Sequence, residues 1–390
     1  MIRDFVFATT PHLHFGEGKL AVLPASAKKF GSKILLVTGA RSFMSSPHGH
    51  TLMEKFRSHA MVVEHHSIPK EPTPSIVDEA VQKFSTFAPD CVIAIGGGSA
   101  LDAGKAISAM LPLREPVKNY LEGIGTRSEH PGTKVPFIAV PTTSGTGSET
   151  TKNAVISETG EAGYKRSLRH DNFVPDVAIV DPLLTLHCPP ATTAASGMDA
   201  FTQLLESYLS TNANPLTDVL AIEGLKCISR SLRNAYRDGT NADARTDMAL
   251  ASYLSGITLA NAGLGLVHGF ASPIGGYFDI SHGFICSALM GPANKITVRK
   301  LRLQKENPEA LKKYAAAGKI FSPEKNRPDD FYIDFLLATI ESWTMEMNIP
   351  RLSKYGVSRK DFEKIAVATG SKNNPVPLEP EELIEILEQS

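Results

Sequence analysis

Four side chains in the second half of the sequence have the chemistry of metal ligands. Asp199 and Gln203 are four residues apart, so they share one face if their segment is helical. His268 and His282 lie fourteen residues apart in a glycine-rich stretch of weak helical character. A carboxylate, an amide and two imidazoles can surround one divalent ion and leave a position open for substrate. Spacing alone leaves ordinary roles open, because Asp199 could be a helix N-terminal carboxylate and either histidine a packed core residue.

A second candidate site is the glycine-rich stretch at residues 91–105, CVIAIGGGSALDAGK. A predicted buried strand runs into Gly96, Gly97, Gly98 and Ser99, and a helix begins at once. Glycines let the backbone turn tightly and approach a phosphate closely, and the helix N-terminus supplies free N–H groups and partial positive charge. The pattern is not the spaced G-x-G-x-x-G, and a tight turn without a ligand is the alternative. The stretch predicts a pyrophosphate site.

A polar loop follows the next predicted strand, at residues 141–149, PTTSGTGSE. Hydroxyl and N–H groups at the end of a parallel strand suit phosphate or ribose recognition, although by itself the segment could be only a loop. Two such loops stand about 45 residues apart, at the ends of successive strands. Together they predict one extended ligand.

Two patterns of secondary structure divide the sequence. The first half alternates short apolar runs with amphipathic stretches, and residues 75–86 place Ile76, Ala80, Val81 and Phe84 at helical spacing. The predicted strands are residues 32–38, 60–64, 91–95, 137–140 and 177–180. Strand–helix alternation predicts a doubly wound, mainly parallel sheet. Such sheets bind ligands at the carboxyl ends of their strands.

After Asp181 the strand-like runs nearly vanish and long helical patterns replace them. The clearest predicted helices are residues 191–209, 216–237, 242–262, 308–321, 329–347 and 359–369. We therefore place a domain boundary near Leu184. Residues 1–184 form an α/β dinucleotide-binding domain, and residues 185–390 form an all-helical domain for metal and substrate. The polar stretches 325–330 and 370–380 are predicted loops.

Composition excludes several classes of protein. The chain has 390 residues, and its 40 Lys and Arg nearly cancel its 41 Asp and Glu, so neither nucleic acid nor an anionic membrane is an expected partner. The N-terminus lacks the order of a signal peptide, and no stretch has the roughly 20 apolar residues of a spanning helix. The four cysteines stand far apart, as expected of buried thiols in a reducing cytoplasm. A cytoplasmic location is therefore expected.

Six motifs in a fixed order resemble the iron-containing (group III) alcohol dehydrogenase family. They are FGEGKL at 15–20, GGGSALDAGK at 96–105, PTTSGTGSE at 141–149, DPLLT at 181–185, GMDAF at 197–201 and HGFASPIGGYFDISHG at 268–283. The resemblance extends over nearly the whole chain, to NIPRLSKYGVSRKDF at 348–362. It implies the dehydroquinate synthase-like fold, with an α/β domain followed by an all-α domain.

The resemblance also implies a set of cofactor residues. Gly97, Gly98 and Ser99 would hold the pyrophosphate, and Asp102 would support their loop. Other side chains would line the cofactor cleft, namely Thr142, Thr143, Ser144 and, with less firm spacing around it, Lys165.

Three of the family's four usual metal ligands are matched by Asp199, His268 and His282. The fourth is normally a histidine where this chain has Gln203, and a further histidine is normally found where it has Ser272. An amide oxygen is a weaker and harder ligand than imidazole, so the identity of the metal, Fe²⁺ or Zn²⁺, is open. The related glycerol dehydrogenases use one aspartate and two histidines, so three ligands can suffice.

The resemblance implies an NAD(P)-dependent alcohol dehydrogenase that transfers a hydride between the nicotinamide and a metal-polarised alcohol or carbonyl carbon. Asp199, His268 and His282 would act through the metal. Ser272, water and the ribose hydroxyls are the candidates for proton delivery. Two alternatives remain, a non-redox cyclase of the dehydroquinate synthase kind and a cofactor-binding scaffold that has lost catalysis.

Two further expectations concern the cofactor and the assembly. Gly39 follows the first predicted strand, at the position where an acidic residue would normally bind the ribose of NAD, and Arg41 and Ser42 could bind a 2′-phosphate. This favours NADP(H), although glycine also permits NAD. Residues 5–16, FVFATTPHLHFG, resemble a hairpin at a sheet edge, and relatives commonly form dimers through this region. A homodimer is therefore expected.

Overall fold

A parallel sheet of six strands forms the first part of the chain. The computed structural model describes residues 4–126, 129–305 and 307–390. The strands are β1 (His12–Phe15), β2 (Lys33–Gly39), β3 (Val62–Ile68), β4 (Cys91–Gly96), β5 (Phe137–Pro141) and β8 (Val177–Val180), in the order β1-β8-β5-β4-β2-β3. Five of them confirm predicted strands, with β3 displaced by a few residues. The predicted N-terminal hairpin is wrong, because β1 is a single strand that pairs parallel with β8.

Helices cover both faces of this sheet because its strands are apolar on both sides. Ile34 and Leu36 of β2 pack on α1 (Leu23–Lys28) and α2 (Pro47–Ser58). Leu35 and Val37 face the other way, toward α3 (Pro74–Phe84) and α4 (Gly98–Met110). The register pairs Gly96 with Pro141, so both candidate cofactor loops leave the same edge of the sheet.

A two-stranded antiparallel hairpin, which the sequence pattern did not predict, follows the second loop. Its strands are β6 (Asn153–Glu158) and β7 (Tyr164–Arg169). Ala154, Ile156 and Leu168 of this hairpin are buried in the apolar core beside α4, and Tyr164 packs against that core partly buried. The remaining residues are mostly polar, so neither strand stood out as an apolar run.

Helices make up the regular structure that follows β8, apart from short 3₁₀ turns, in the described part of the chain. They are α5 (Pro190–Leu209), α6 (Pro215–Arg237), α7 (Ala242–Ala262), α8 (Leu266–Tyr277), α9 (His282–Gln304), α10 (Pro308–Phe321), α11 (Asp329–Glu346), α12 (Arg359–Ala368) and α13 (Pro380–Gln389). The predicted helices are confirmed within one or two residues at each end, and α8, α9 and α13 are additional. The predicted fold class, α/β followed by all-α, is confirmed.

The stretch 263–283 is more helical than its glycines and Pro273 indicated, since most of it forms α8. The glycines serve close packing: a Cβ on Gly269 would lie 2.0 Å from the carbonyl oxygen of Gly370. Tertiary contact therefore overrides low helix propensity here. Among the described residues no single helix is long and apolar enough to cross a membrane, although α7 and α8 together meet that length and composition across a 97° bend.

Candidate active site

A cleft of about 730 Å³ joins the carboxyl edge of the sheet to the helices. Its walls come from the two glycine loops, the β6–β7 hairpin and helices α5, α8 and α9. Residues at its two ends include Gly97, Gly98, Thr143, Asp199, His268 and His282. The structure therefore brings the two predicted sites, separated by up to 185 residues of sequence, into one cavity.

The first glycine loop ends at an uncapped helix N-terminus. Gly97 is the extended residue before α4, and no side chain caps that helix. Gly97, Gly98 and Ser99 all line the cleft. A Cβ on Gly98 would lie 2.8 Å from a side-chain carbon of Thr146 in the second loop, so the close approach of the two loops requires a glycine. Free N–H groups at a helix N-terminus suit a phosphate.

Helix α4 fixes the second loop against the first through the half-buried carboxyl group of Asp102 and the buried ammonium group of Lys105. Asp102 accepts hydrogen bonds from the Ser148 hydroxyl and from the N–H of Val155. The Nζ of Lys105 donates to the carbonyl oxygens of Ser148 and Thr151, each at 2.8 Å. Burial lowers the pKa of Lys105 to about 8. Asp102 thus belongs to the helix that starts at the first loop and also holds the second loop by direct hydrogen bonds.

Of the other residues predicted to contact the cofactor, some line the cleft and others lie outside it. Thr143 lines the cleft, whereas Thr142 donates its backbone N–H to the Gly96 carbonyl oxygen at 2.9 Å and Ser144 is buried. Arg41 and Ser42 are exposed on the turn after β2, beyond the cleft. The space around the Cα of Gly39 is open, with no atom within 4 Å of a Cβ built there.

Four potential ligand atoms converge at the other end of the cleft. They belong to Asp199 on α5, His268 on α8, and His282 and Cys286 on α9, and all lie within 4.8 Å of one another. Asp199 Oδ1 is 3.4 Å from His268 Nε2 and 3.7 Å from His282 Nε2. Asp199 is 1% exposed, yet its Oδ1 has no hydrogen-bond partner among the described residues. A buried, unpaired carboxylate oxygen facing two imidazole nitrogens fits a divalent cation.

The two histidines of this cluster differ in protonation. Burial would lower the pKa of His268, but Cys286 and Glu206 outweigh it and hold that pKa well above its ordinary value, so metal binding displaces a proton from this imidazole. Burial lowers the pKa of His282 to about 4, which leaves a neutral imidazole with a free lone pair. Burial alone would raise the pKa of Asp199, but the adjacent His282 and His268 outweigh it, and the net shift is downward. The carboxylate is therefore charged and the ligand His282 is neutral at pH 7.

Gln203 lies beside the cluster, one turn after Asp199 on α5. Its Nε2 is 3.4 Å from Asp199 Oδ2, and its Oε1 accepts a hydrogen bond from the Ser255 hydroxyl at 2.9 Å. The amide oxygen that the sequence analysis offered as a ligand is thus turned toward Ser255. That ligation stays a prediction, which requires the amide to rotate.

Lys165 and Ser272 complete the predicted set, and both line the cleft. Lys165 forms an ion pair with Glu71, with its Nζ 2.6 Å from Oε2. Burial would raise the pKa of Glu71, but the Lys165 ammonium group outweighs it and the pKa is lowered. Ser272 is one helical turn after His268 on α8 and therefore faces the same side of that helix.

Two residues of the site were missed by the sequence reasoning. Glu206 accepts hydrogen bonds from His268 Nδ1 at 2.7 Å and from the N–H of Val267. Cys286 was interpreted as an ordinary buried thiol. Helical spacing could have found both, because Glu206 follows Asp199 by seven residues and Cys286 follows His282 by four.

Known proteins are similar to this chain over nearly its whole length. Residues 10–182 match the family profile described as iron-containing alcohol dehydrogenase, and residues 193–390 match the profile of the C-terminal domain of that family. Alcohol dehydrogenase 4 of Saccharomyces cerevisiae is 32% identical over 394 residues, covering 98% of each chain. Long-chain-alcohol dehydrogenase 1 of Geobacillus thermodenitrificans is 41% identical over 276 residues, 70% of this chain and 68% of its own length. The crystal structure of a 1,3-propanediol oxidoreductase superposes with a TM-score of 0.88 at 29% identity, over 99% of this chain and 100% of that one.

Proposed function

The chain belongs to the iron-containing alcohol dehydrogenase family, and from that premise we propose that it is a metal-dependent, NAD(P)-linked alcohol dehydrogenase. In this proposal residues 1–184 bind the dinucleotide, and residues 185–390 supply the metal and substrate groups. The observation that carries the proposal is the single cleft that runs from the N-terminus of α4 to the cluster of Asp199, His268 and His282. Its substrates are small alcohols and the matching aldehydes or ketones.

The cofactor is oriented by backbone groups of the two loops. Gly97, Gly98 and Ser99 would present N–H groups to a pyrophosphate, and the side chain of Thr143 lies next to Gly97. The contacts of Asp102 and Lys105 hold both loops at a fixed separation, so a dinucleotide bound there would extend along the cleft toward α5 and α8. We further propose NADP(H), because Arg41 and Ser42 are exposed beside the open space at Gly39 and can reach a 2′-phosphate.

The chemistry at the other end depends on one ion. A divalent ion held by Asp199, His268 and His282 would supply positive charge that polarises the substrate C–O bond, while the nicotinamide gives or takes the hydride. Glu206 fixes the ring orientation of His268. Leu264, Ala271 and Phe284 line the same cleft and exclude water from the reacting carbon. The Ser272 hydroxyl is the candidate on α8 to relay a proton to or from the substrate oxygen.

Turnover of NADH and NADPH with a panel of aldehydes tests this function. The protein is assayed after metal removal and again with added Fe²⁺ or Zn²⁺, and His282→Ala is the matched control. We expect oxidation of the cofactor that depends on metal and is lost in the variant. Binding of the cofactor without turnover under any condition would identify a scaffold. Failure to oxidise either cofactor, together with metal-dependent cyclisation of a sugar-phosphate substrate, would identify a cyclase.

A further inference from the structure

We propose that Cys286 is the fourth protein ligand of the metal site, in place of the histidine that relatives have where this chain has Gln203. The inference rests on the metal site of the proposed function. It adds a sulfur donor to a set of one carboxylate and two imidazoles, and so changes which ion the site prefers.

The distances around Cys286 are those of a coordination shell. Its Sγ lies 3.6 Å from His268 Nε2 and 3.6 Å from His282 Nε2. Tetrahedral zinc forms bonds of about 2.0–2.1 Å to nitrogen or oxygen and about 2.3 Å to sulfur. These bond lengths place nitrogen and sulfur ligands about 3.5 Å apart, and nitrogen and oxygen ligands about 3.3 Å apart. The Oδ1 of Asp199 is 3.4 Å and 3.7 Å from the two imidazole nitrogens. Four edges of one tetrahedron are thus present.

The position of Cys286 on its helix explains this convergence. His282 is the first residue of α9, and Cys286 follows one turn later on the same face. Cys286 is fully buried and is not among the residues that line the cleft, whereas Asp199, His268 and His282 are. The sulfur therefore lies on the side of the proposed metal site that faces away from the cleft. The side of the ion that faces the cleft stays free for a substrate oxygen, which makes the coordination number five in the working enzyme.

Gln203 is a poorer fourth ligand in this arrangement. Its amide oxygen accepts a hydrogen bond from Ser255, and its amide nitrogen, a donor without a lone pair, faces the Asp199 carboxylate. Cys286 needs no such rotation, since its sulfur already lies among the other ligand atoms. A buried cysteine is ordinarily a small apolar residue; the unpaired Oδ1 of Asp199, aimed into the same space, indicates a ligand here.

A thiolate ligand has a chemical consequence. Coordination replaces the S–H bond of Cys286 by a metal–sulfur bond, and the proton passes to solvent. Sulfur is a soft donor, so the set of one carboxylate, two imidazoles and one thiolate favours Zn²⁺ or Co²⁺ over the harder ions that carboxylate and water suit.

Cobalt substitution of the whole chain tests the proposal, because thiolate bound to Co²⁺ gives a charge-transfer band in the near ultraviolet that imidazole and carboxylate do not. We expect the wild type, after metal removal and loading with one equivalent of Co²⁺, to show this band. Cys286→Ser should lose the band while keeping the visible Co²⁺ bands. Cys188→Ser, the control at a cysteine outside the site, should keep both.

Metal affinity gives the second measurement. Competition with a chelator of known Zn²⁺ affinity should show at least a tenfold loss in Cys286→Ser and in Cys286→Ala, with circular dichroism to establish folding. A wild type that binds one Co²⁺ without the near-ultraviolet band overturns the role of Cys286 and leaves the proposed function standing. A wild type that binds no metal overturns both. If either variant fails to fold, the band in the wild type decides.

Discussion

His268 donates a hydrogen bond through Nδ1 to the carboxylate of Glu206, at 2.7 Å, on the side of the ring away from Asp199. A carboxylate can only accept here, so the proton of a neutral His268 is on Nδ1 and the lone pair is on Nε2, facing the cluster. Glu206 also accepts from the N–H of Val267 at the start of α8, which fixes the carboxylate itself. Glu206 would therefore orient His268 as a ligand of the proposed metal ion.

Replacing this support should weaken metal binding without removing a ligand. We expect Glu206→Gln to lower Zn²⁺ affinity by about 10- to 100-fold, the usual cost of losing such a partner. Chelator competition on the folded protein is the measurement. Glu223→Gln, at an exposed ion pair on α6, is the control and should leave the affinity unchanged. Equal affinities in all three proteins would show that His268 is not a ligand.

The turn after β2 should decide the choice of cofactor. Arg41→Ala removes the positive charge beside the open space at Gly39, so we expect the Kd of NADPH to rise by at least about tenfold and the Kd of NADH to change little. Fluorescence titration of both cofactors measures this, with Arg57→Ala, near the end of α2, as the control. A clear preference for NADH that Arg41→Ala does not alter would contradict the assignment to NADP(H).

Glu149 should make stability depend on pH. It is 2% exposed in the second loop, and burial raises its pKa from 4.5 to about 7. Between these values the folded protein holds more protons than the unfolded chain, so this residue lowers the free energy of unfolding as pH rises, by on the order of 3 kcal/mol in total. Glu149→Gln removes that dependence. Relative to the wild type, the variant should gain stability between pH 5 and pH 7.5.

Urea unfolding of both proteins at pH 5, 6 and 7.5 measures the difference. Staying below pH 8 keeps most of the titration of Lys105, whose lowered pKa acts in the opposite direction above that pH, out of the comparison. Glu223→Gln is again the exposed control. A constant difference between wild type and Glu149→Gln across this range would mean that Glu149 stays ionised in the folded protein.

A homodimer remains the expected assembly, although its structural basis differs from the predicted hairpin. Strand β1 is at one edge of the sheet with its outer side available, and Phe5 and Val6 just before it are 41% and 88% exposed. An open sheet edge beside apolar side chains is a surface that pairing covers. Light scattering at micromolar concentration should give twice the mass of one chain, 42.0 kDa. A mass of one chain for the wild type would refute the homodimer. The Val6→Lys variant should have a mass closer to that of one chain.

The sequence predicted the elements whose pattern is local. Apolar runs identified β2, β4, β5 and β8, and helical spacing identified α5, the helix that carries Asp199. The segments that failed depend on distant contacts. Gly269 in α8 is compatible with a helix because it packs on Gly370, a relationship between residues a hundred positions apart. The polar strands of the β6–β7 hairpin pack on two helices, β6 mainly on α4 and β7 on α8.

The sequence predicted several residues that line the candidate site, but not how their side chains are arranged. Motif order gave Gly97, Asp199, His268 and His282, yet the position of Cys286 depends on where α9 begins, and the glycine-rich stretch before it concealed that boundary. Conversely, the spacing of Gln203 four residues after Asp199 on α5 predicts that it is a ligand. The hydrogen bond from Ser255, which turns the amide oxygen away, comes from α7 and could not be read from the spacing.

Positions 203 and 286 should be able to replace each other as the source of the fourth metal ligand. Residue 203 lies one turn after Asp199 on a regular helix, and its side-chain nitrogen is already 3.4 Å from that carboxylate. A histidine there can therefore direct an imidazole at the ion. We expect Gln203→His to tighten Zn²⁺ binding by at least about tenfold, or about 1.4 kcal/mol. Activity should fall, because a fifth protein ligand competes with the substrate for the open position.

The double variant Gln203→His, Cys286→Ser tests this directly, because it has one aspartate and three histidines, the ligand set that relatives use. If both positions face the same ion, the added imidazole should restore the affinity that Cys286→Ser loses, to within about threefold of the wild type, by chelator competition. It should do so without the near-ultraviolet Co²⁺ band, since no thiolate remains. Gln203→Asn, too short to reach the ion, is the control and should restore nothing. If Gln203→His leaves the affinity unchanged in both backgrounds, residue 203 is out of reach, and its amide serves the hydrogen bonds to Ser255 and Asp199.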